Sequence, residues 1–348
     1  MDFLDVDGSF GEGGGQTIRI ATSFAVILNK AIRVKNVRAG RRIPGLRPQH
    51  AATLKILAEI CGGTLEGGTV GSTEFTFVPG RVEKESMTVD TGTAASVTLA
   101  LQAIVPAISL SGASLDLDLI GGTDVPWSPT CDYFSQVLAP SLRMLGIVFD
   151  LKVLRRGYYP SGGGRISVHI DPCDTIRAVD LGTRSEDPPI SITSRAAMLP
   201  NRVPEQLLSS AVSQLERNGL YPQKKSVSIE ESSSPGCSVL AGAVGESCFM
   251  GVDGIGVRGK PAVAIGSEVG FRFAKTYSSG ACVDPHLADM LSPLLFLADG
   301  PSRLLTSESS SHLMTSLHVV RQFVAAEYSV ERRDGAYLIS IEPSRQNS

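Results

Sequence analysis

The sequence predicts an α+β/α/β fold made of three repeats of a strand-helix-strand-helix-strand-strand unit, with a smaller α/β domain inserted. The first observation is that this order of elements recurs about every 80 residues, which is the signature of a repeat architecture. The second is that 36 glycines and 20 prolines divide the 348 residues into short alternating strands and helix-periodic segments. The third is that one segment of about 100 residues, an ordinary domain size, departs from this order. Each unit places two helices on one face of a small sheet.

The first unit opens with a short strand at residues 3–7, followed by a glycine-rich loop. Apolar residues at helical spacing predict a helix that ends at about Leu28 and a second helix at about Gln49–Cys61. Period-two alternation bounded by glycine and serine turns predicts the remaining strands. These strands are Ala31–Val37, Thr64–Gly67 and Glu74–Val78.

The second unit repeats the order. Its predicted helices are Gly92–Leu110, which is rich in alanine, valine and leucine, and Thr130–Leu145. Its predicted strands are Met87–Thr91, Ser114–Ile120, Val148–Leu154 and Gly164–Ile170.

The third unit is interrupted. Ala178–Leu181 can supply its first strand, and its helices are then predicted at Pro285–Leu297 and His312–Ala326. A strand at Ser302–Thr306 and a hairpin turned by Asp334-Gly335 complete it. The hairpin strands are Glu327–Arg333 and Ala336–Ile341.

Residues 184–282 form the predicted insert, which separates the first two repeats (1–183) from the third (283–348). Joints rich in proline, serine and glycine divide it, and no catalytic constellation is evident in it. Its predicted helices are Pro204–Asn218 and Ala262–Thr276, and its predicted strands are Ile190–Ser194, Val227–Glu231, Ser238–Ala243 and Glu246–Val252.

Composition narrows the class of protein. A net charge of −3 argues against a protein that wraps long nucleic acid, although it does not exclude one that binds the end of a strand. The six cysteines are scattered, with neither a C-x-x-C pair nor zinc spacing, so we expect buried thiols in a reducing compartment. The acidic N-terminus has no signal-peptide pattern, and no apolar run reaches about 18 residues. We therefore expect a cytoplasmic protein without a membrane segment.

Basic residues are concentrated near the N-terminus. From Gly13 to Ala58 the chain has no acidic residue, and four arginines lie in one glycine- and proline-containing loop. Guanidinium groups in such a loop suit phosphate oxygens, whereas the alternative is a solvated basic face. The loop arginines are Arg38, Arg41, Arg42 and Arg47.

The glycine run at residues 11–15 precedes the first helix, so its backbone N–H groups can cradle an anion. It is not a Walker A motif, because no G-K-[ST] follows, and a plain tight turn is an equal alternative. Glu12 is a lone acid in this loop and faces the basic cluster, which is an arrangement that can hold a metal ion.

His312 follows a serine run and begins the predicted helix. An imidazole there is firmly held and still reaches solvent, and the helix dipole favours an approaching phosphate. The alternative is a histidine that only covers the helix.

A second helix start, at Asp284, has proline at N1 and brings His286 and Asp289 onto one face. The loop at residues 121–129, which holds the only tryptophan, is equally consistent with a structural or a functional role.

Together these stretches resemble the RNA 3′-terminal phosphate cyclases, in the order of that family and over nearly the whole chain except the insert. No single segment is decisive, but the ordered set is highly specific. The matching segments are Gly11–Gln16, Arg38–Arg41 with Pro44–Leu46 and Gln49-His50, Leu101-Gln102, Gly121–Asp124, Tyr159-Pro160 with Gly162–Gly164, His286–Asp289 and Ser311–Leu313.

The resemblance implies three repeats with one inserted domain, and an ATP-dependent enzyme acting on RNA with a 3′-phosphate end. It implies that His312 attacks ATP to form a covalent AMP–histidine, and that AMP then passes to the RNA before the 2′,3′-cyclic phosphate closes. The implied ATP-binding residues are Gln102, Pro129, His286, Leu287, Ala288, Asp289 and Met290. The implied phosphate- or RNA-binding residues are Arg19, Arg38, Arg41 and Gln49, with Glu12 as the ligand of Mg²⁺ or Mn²⁺.

The chain departs from the family at two of these positions. His286 stands where the family typically has tyrosine, and Met290 stands where it typically has glutamine.

Two alternative functions are a cyclase-like protein of ribosome assembly that lacks activity, and an enolpyruvyl transferase, whose fold resembles the same repeat. His312 in a matching context argues against the first, while enolpyruvyl transferases need no histidine nucleophile. The oligomeric state stays open, with a dimer as one option.

Overall fold

The computed structural model describes residues 2–11 and 13–344. Within them the chain forms eight helices and sixteen strands, so the predicted mixed α/β class is confirmed. The helices are α1 Gly15–Ile27, α2 Pro48–Ile60, α3 Val97–Leu110, α4 131–145, α5 Arg202–Glu216, α6 Ala262–Ser278, α7 Pro285–Leu295 and α8 Ser311–Arg321. The first eight strands are β1 Leu4–Asp7, β2 Ile32–Lys35, β3 Thr64–Glu66, β4 Phe75–Val78, β5 Ser86–Asp90, β6 Leu115–Gly121, β7 Phe149–Arg155 and β8 Gly164–Ile170. The others are β9 Asp180–Leu181, β10 Ile190–Ala197, β11 Lys224–Ile229, β12 Gly236–Val244, β13 Phe249–Ile255, β14 Ser302–Thr306, β15 Ala326–Arg333 and β16 Ala336–Pro343.

Three of the four-stranded sheets have the same pairing pattern. Their orders are β1-β2-β4-β3, β5-β6-β8-β7 and β9-β14-β16-β15. In each, the first two strands are parallel and the other pairs are antiparallel. The fourth sheet has the order β11-β10-β12-β13, with one parallel pair at its edge. The parallel pairs require crossovers, which the helices supply.

One hydrophobic core runs through the three similar sheets, and a separate cluster lies under the β10–β13 sheet. In the large core α1 contacts α3 and α8, while α7 contacts α8, so helices from distant parts of the chain meet at the centre. In the smaller cluster α5 and α6 pack on each other and on the sheet. Burial of large apolar side chains such as Phe24, Phe134 and Phe273 is the main stabilising term.

Two predicted helix ends are wrong. Helix α3 begins at Val97 rather than Gly92, because the Ser96 side chain accepts the Leu99 N–H and caps the helix there. Helix α8 ends at Arg321 rather than at Ala326, because Ala326 is already paired with Pro343 in the hairpin. Helix α4 also contains a π-helical turn, Phe134–Leu138, which the sequence did not predict.

The six cysteines are all free and buried, as predicted. Burial raises the pKa of the Cys131 thiol well above its ordinary value. None of the described helices combines the length and the apolar character needed to cross a membrane.

A buried ion-pair network joins the β10–β13 sheet to the large core. The Arg156 guanidinium donates to Asp124 at 3.0 Å and to Asp132 at 2.9 Å, and Arg195 on β10 donates to Asp132 at 2.9 Å. Arg195 also contacts Glu230 at 2.5 Å. Burial lowers the pKa of Arg156, but the two carboxylates outweigh burial and raise it, so the group stays charged.

Replacing Arg156 with methionine should lower the free energy of unfolding by about 3–5 kcal/mol, because Asp124 and Asp132 would remain buried without their shared cation. Urea denaturation measures the change. The matched control is Arg143→Met, since Arg143 and Asp150 are mostly exposed and 3.9 Å apart. That control should change stability by less than about 0.5 kcal/mol. Equal losses in the two variants would contradict the importance of the buried network.

Candidate active site

A cleft of about 520 Å³ opens between helices α1, α3, α7 and α8, with the loop before α4 and the end of β13 as its outer wall. Seven of the residues singled out in the sequence line it, although they are spread over most of the chain. They are Arg19, Gln102, Pro129, His286, Asp289, Met290 and His312. The fold therefore brings these predicted residues together in one cleft.

His312 is the second residue of α8 and is half-buried at the cleft. The N-cap residue Ser310 accepts the Leu313 N–H at 2.9 Å and donates its own hydroxyl to Asp289 at 2.5 Å. This second bond ties the start of α8 to α7. The imidazole is thus held at a helix N-terminus, where the dipole and free N–H groups favour an anion.

The glycine loop docks on the same helix. The Gln16 amide donates a hydrogen bond to Ser316, and the Phe10 ring stacks on His318 with centroids 3.5 Å apart. Gly11 has φ +63°, and a Cβ there would lie 2.2 Å from the Thr315 hydroxyl. Only glycine fits such a backbone and such a contact.

Glu12, the predicted metal ligand, lies outside the described residues. Within the described part of the chain, no group of three or more His, Cys, Asp or Glu side chains could hold a metal ion. The described residues alone therefore do not form a metal centre.

Arg19 reaches the cleft from α1 and is half-buried. Burial lowers the pKa of its guanidinium to about 10, so it remains charged at neutral pH. Among the described residues it has no hydrogen-bond or ion-pair partner, whereas the more deeply buried Arg156 has two carboxylate partners. A buried cation without a carboxylate is costly unless a ligand supplies the anion.

The other predicted phosphate-binding residues do not line the cleft. Arg38 donates to the carbonyls of Ile43 at 2.9 Å and Gly45 at 3.0 Å, so its guanidinium shapes its own loop. Arg41 approaches the glycine loop: its guanidinium would lie 3.0 Å from a Cβ placed on Gly14. Gln49 is half-buried in the first turn of α2.

Two predicted ATP-binding residues, Leu287 and Ala288, are buried in the hydrophobic core, and their side chains do not line the cleft. Their helix is capped as predicted. Asp284 accepts the N–H groups of Leu287 and Gly251, both at 2.9 Å, and the Tyr133 hydroxyl. His286 and Met290, which face the cleft, are the residues of this segment that can meet a ligand directly, together with Asp289.

Sequence reasoning missed the role of His50. This side chain is buried against the start of α1, and a Cβ on Gly15 would lie 2.2 Å from its Nε2. Its Nδ1 accepts the Arg47 N–H at 3.1 Å, which assigns the proton of the neutral ring to Nε2. Burial, together with the charges of Arg19, Arg38 and Arg47, lowers its pKa to about 3. The ring is therefore neutral amid three arginines.

The predicted insert, in which the sequence shows no catalytic constellation, also contributes residues to the cleft. Asp253 on β13 lines the cleft and accepts the Thr130 N–H at 2.7 Å, and burial raises the pKa of its carboxyl. Arg272 on α6 lines it as well. No local motif marks either residue, because their position depends on how the fourth sheet packs against α4.

The family model and the curated relatives that match this chain point to the same family. A family model described as RNA 3′-terminal phosphate cyclase matches residues 10–330. A protein of Methanosarcina barkeri with that name is 37% identical over 338 residues, which cover 97% of this chain and 99% of that protein. One of Pyrococcus abyssi with the same name is 36% identical over 332 residues, covering 95% and 96% of the two chains.

A solved structure of EPSP synthase from Acinetobacter baumannii matches 98% of this chain and 65% of its own, at 12% identity and a TM-score of 0.29. A likeness at that score carries no argument about fold or function.

The neutral state of His50 makes stability depend on pH. Because its pKa is lower in the folded protein than in the unfolded chain, the unfolded chain takes up the extra proton as pH falls from about 6.5 towards 3. The free energy of unfolding should therefore drop by about 1–2 kcal/mol more between pH 7 and pH 5 in the natural protein than in His50→Gln. Urea denaturation at both pH values measures this difference.

His169 provides the control for that experiment. It is partly exposed, and hydrogen bonding to Asp116 raises its pKa, so its protonation favours the folded state at low pH. His169→Gln should not reduce the loss of stability on acidification. If His50→Gln lost as much stability as the natural protein, the neutral assignment of His50 would be wrong.

Proposed function

Because the chain belongs to the RNA 3′-terminal phosphate cyclase family, we propose that it converts the 3′-terminal phosphate of an RNA to a 2′,3′-cyclic phosphate, with ATP consumed to AMP and pyrophosphate. The observation that carries this proposal is that His312 shares one cleft with Arg19, a buried cation that has no carboxylate partner among the described residues. An imidazole beside such a cation is suited to attack a phosphate ester.

In the first step a neutral nitrogen of His312 attacks the α-phosphorus of ATP. A P–N bond forms, the bond from the α-phosphorus to the bridging oxygen breaks, and pyrophosphate leaves. The negative charge on the leaving group grows in this step, and we assign Arg19 at the cleft and Arg41 beside the glycine loop to offset it. Phosphoryl-type transfers depend mainly on such positioning and charge.

In the second step an oxygen of the RNA 3′-phosphate attacks the phosphorus of the histidine-bound AMP, and the imidazole leaves. The RNA then carries an activated phosphoanhydride. Its neighbouring 2′-hydroxyl attacks the 3′-phosphorus, loses its proton and expels AMP, which closes the ring. Ring closure is favoured because the nucleophile is tethered next to its target, and it requires RNA rather than DNA.

The proposed nucleotide contacts are those that line the cleft. Pro129 lies where it can pack against the adenine, while Gln102, His286, Asp289 and Met290 border the space for the rest of the nucleotide. Leu287 and Ala288 support this wall from the core. Gln49 in the first turn of α2 and Arg38 in the loop that precedes α2 stay proposed phosphate contacts. A divalent cation bound at Glu12, which is outside the described residues, would neutralise the crowded phosphates.

We also propose that the chain consists of two repeats (1–183), an inserted α/β domain (184–282) and a third repeat (283–348). The shared pairing pattern of three sheets supports the repeats, and the separate hydrophobic cluster under β10–β13 supports the insert. Strand β9 pairs with β14 across the insert and would supply the first strand of the third repeat.

Two competing functions make different predictions. A cyclase-like protein of ribosome assembly without activity would take no label from ATP labelled at the α-phosphate. An enolpyruvyl transferase would act on phosphoenolpyruvate and leave RNA ends unchanged. Incubation with the labelled ATP, with phosphoenolpyruvate and a sugar phosphate, and with RNA 3′-phosphate ends separates the three.

His312→Asn should abolish covalent labelling by α-labelled ATP, because the asparagine amide is not a nucleophile under these conditions. Stability should change by less than about 0.5 kcal/mol, since the side chain is only half-buried at a helix start. The label on the natural protein should be acid-labile and alkali-stable, and mass analysis should place AMP on the peptide that contains His312. The partly exposed His169→Asn is the control and should label normally. An adduct on another residue would refute the assignment.

Arg19→Gln should separate activity from stability. Turnover should fall about 100-fold, because the developing phosphate charge loses its cation. The free energy of unfolding should rise by about 1 kcal/mol, because a guanidinium whose charge burial disfavours is removed. Lys55→Gln on the exposed face of α2 is the control and should change neither property. A variant that keeps full turnover, or one that loses both properties together, would contradict the proposed role of Arg19.

A further inference from the structure

Trp127 stands out on the rim of the cleft. It is the only tryptophan of the chain, its side chain is 97% exposed, and its φ is +62°. A bulky residue in the left-handed region is strained, and a fully exposed indole buries none of its apolar surface. Both features are unfavourable in the free protein, so packing within the fold does not account for a tryptophan at this position.

The loop that carries this ring is fixed on both sides. The Ser128 hydroxyl donates to the Val125 carbonyl at 2.8 Å, and the Thr98 hydroxyl donates to the Pro129 carbonyl at 2.7 Å. Further along, the Thr130 N–H donates to Asp253 at 2.7 Å. The strained backbone is therefore held in place, and the indole is presented outward from an anchored loop. Strain that is held in this way is typical of ligand contacts.

No part of the described protein covers the ring: no aromatic stacking or cation–π contact of Trp127 occurs among the described residues. It nevertheless borders the same cleft as His312. A flat, exposed aromatic ring beside a phosphate-binding cleft is suited to stack on a nucleobase.

Two bases meet at this cleft if the proposed function holds: the adenine of ATP and a base of the RNA. Small ligands are mostly enclosed by their pockets, so the adenine belongs with the half-buried residues Pro129, Gln102 and Met290. A ring that is 97% exposed instead meets the ligand that extends out of the cleft. Arg272, another exposed residue of the cleft, supplies positive charge for the RNA backbone.

We propose that Trp127 is a stacking platform for the base of the nucleotide at the 3′ end of the RNA substrate. This inference rests on the proposed function and adds to it a contact that selects for a base at the RNA end. Stacking is tolerant of sequence, because each base has a π-face, so this contact would favour single-stranded ends without choosing among the four bases.

The single tryptophan allows a direct test by fluorescence. Titration with a short oligoribonucleotide that carries a 3′-phosphate should quench the emission of the natural protein in a saturable manner. The same oligonucleotide with an abasic 3′-terminal nucleotide should quench much less. AMP alone should leave the emission unchanged. Quenching by AMP alone would assign the ring to the adenine, and no quenching by RNA would remove the stacking role; either result overturns the proposal.

Variants provide a second readout. Trp127→Ala should raise the KM for the RNA about tenfold or more, which is the usual scale of losing one stacked base, with little change in kcat. Trp127→Phe should recover most of the affinity, because its ring can still stack. Covalent labelling of His312 by ATP, which needs no RNA, should be unchanged in both variants and shows that each variant is folded.

The proposal and the proposed function can fail separately. If the natural protein cyclises RNA but Trp127→Ala has the natural KM for RNA, the stacking platform is wrong and the function stands. If RNA quenches the fluorescence saturably but no cyclisation occurs, the platform stands and the function is wrong.

Discussion

The docking of the glycine loop on helix α8 is the contact on which the candidate site depends. It joins residues that are 300 positions apart, as the Gln16–Ser316 hydrogen bond illustrates. The close approach of Gly11 to Thr315 and the stacking of Phe10 on His318 fix the loop against the helix that carries His312. Helix α1, which carries Arg19, also packs on α8, so Arg19 and His312 line the same cleft. The rest of the core can be seen as the scaffold that brings the two segments together.

Charge is arranged around this contact in an unusual way. Arg19 is half-buried in the cleft without an anionic partner among the described residues, whereas Arg156, which is more deeply buried, has two. His50 lies among arginines and stays neutral, so it adds no further positive charge where the chain already has an excess. Among the described residues Arg156 is thus neutralised by carboxylates, whereas Arg19 is not, although Asp253 and Asp289 also line the cleft. Such an imbalance is typical of a site that is completed by a bound anion.

Much of this arrangement could be predicted from the sequence, because it depends on local patterns. Helical spacing located α8 and put His312 at its start, and the Asp284-Pro285 pair gave the start of α7. Features that depend on tertiary packing could not be predicted. The early end of α8 follows from hairpin pairing at Ala326, and the use of Asp253 follows from the docking of the fourth sheet. Likewise, only the packing distinguishes Leu287, a core residue, from its cleft-lining neighbours.

The Arg156–Asp132–Arg195 network has a mechanical consequence. Asp132 belongs to the helix that follows the outer wall of the cleft, and it holds both Arg156, which follows β7, and Arg195 on β10. The β10–β13 sheet therefore cannot pivot as a loosely tethered arm, because any rotation would strip paired charges in a water-poor interior. The end of β13 and the loop before α4 line the cleft beside this network, and the Thr130 N–H donates to Asp253 between them. That side of the cleft is therefore a rigid wall, against which a ligand has to fit.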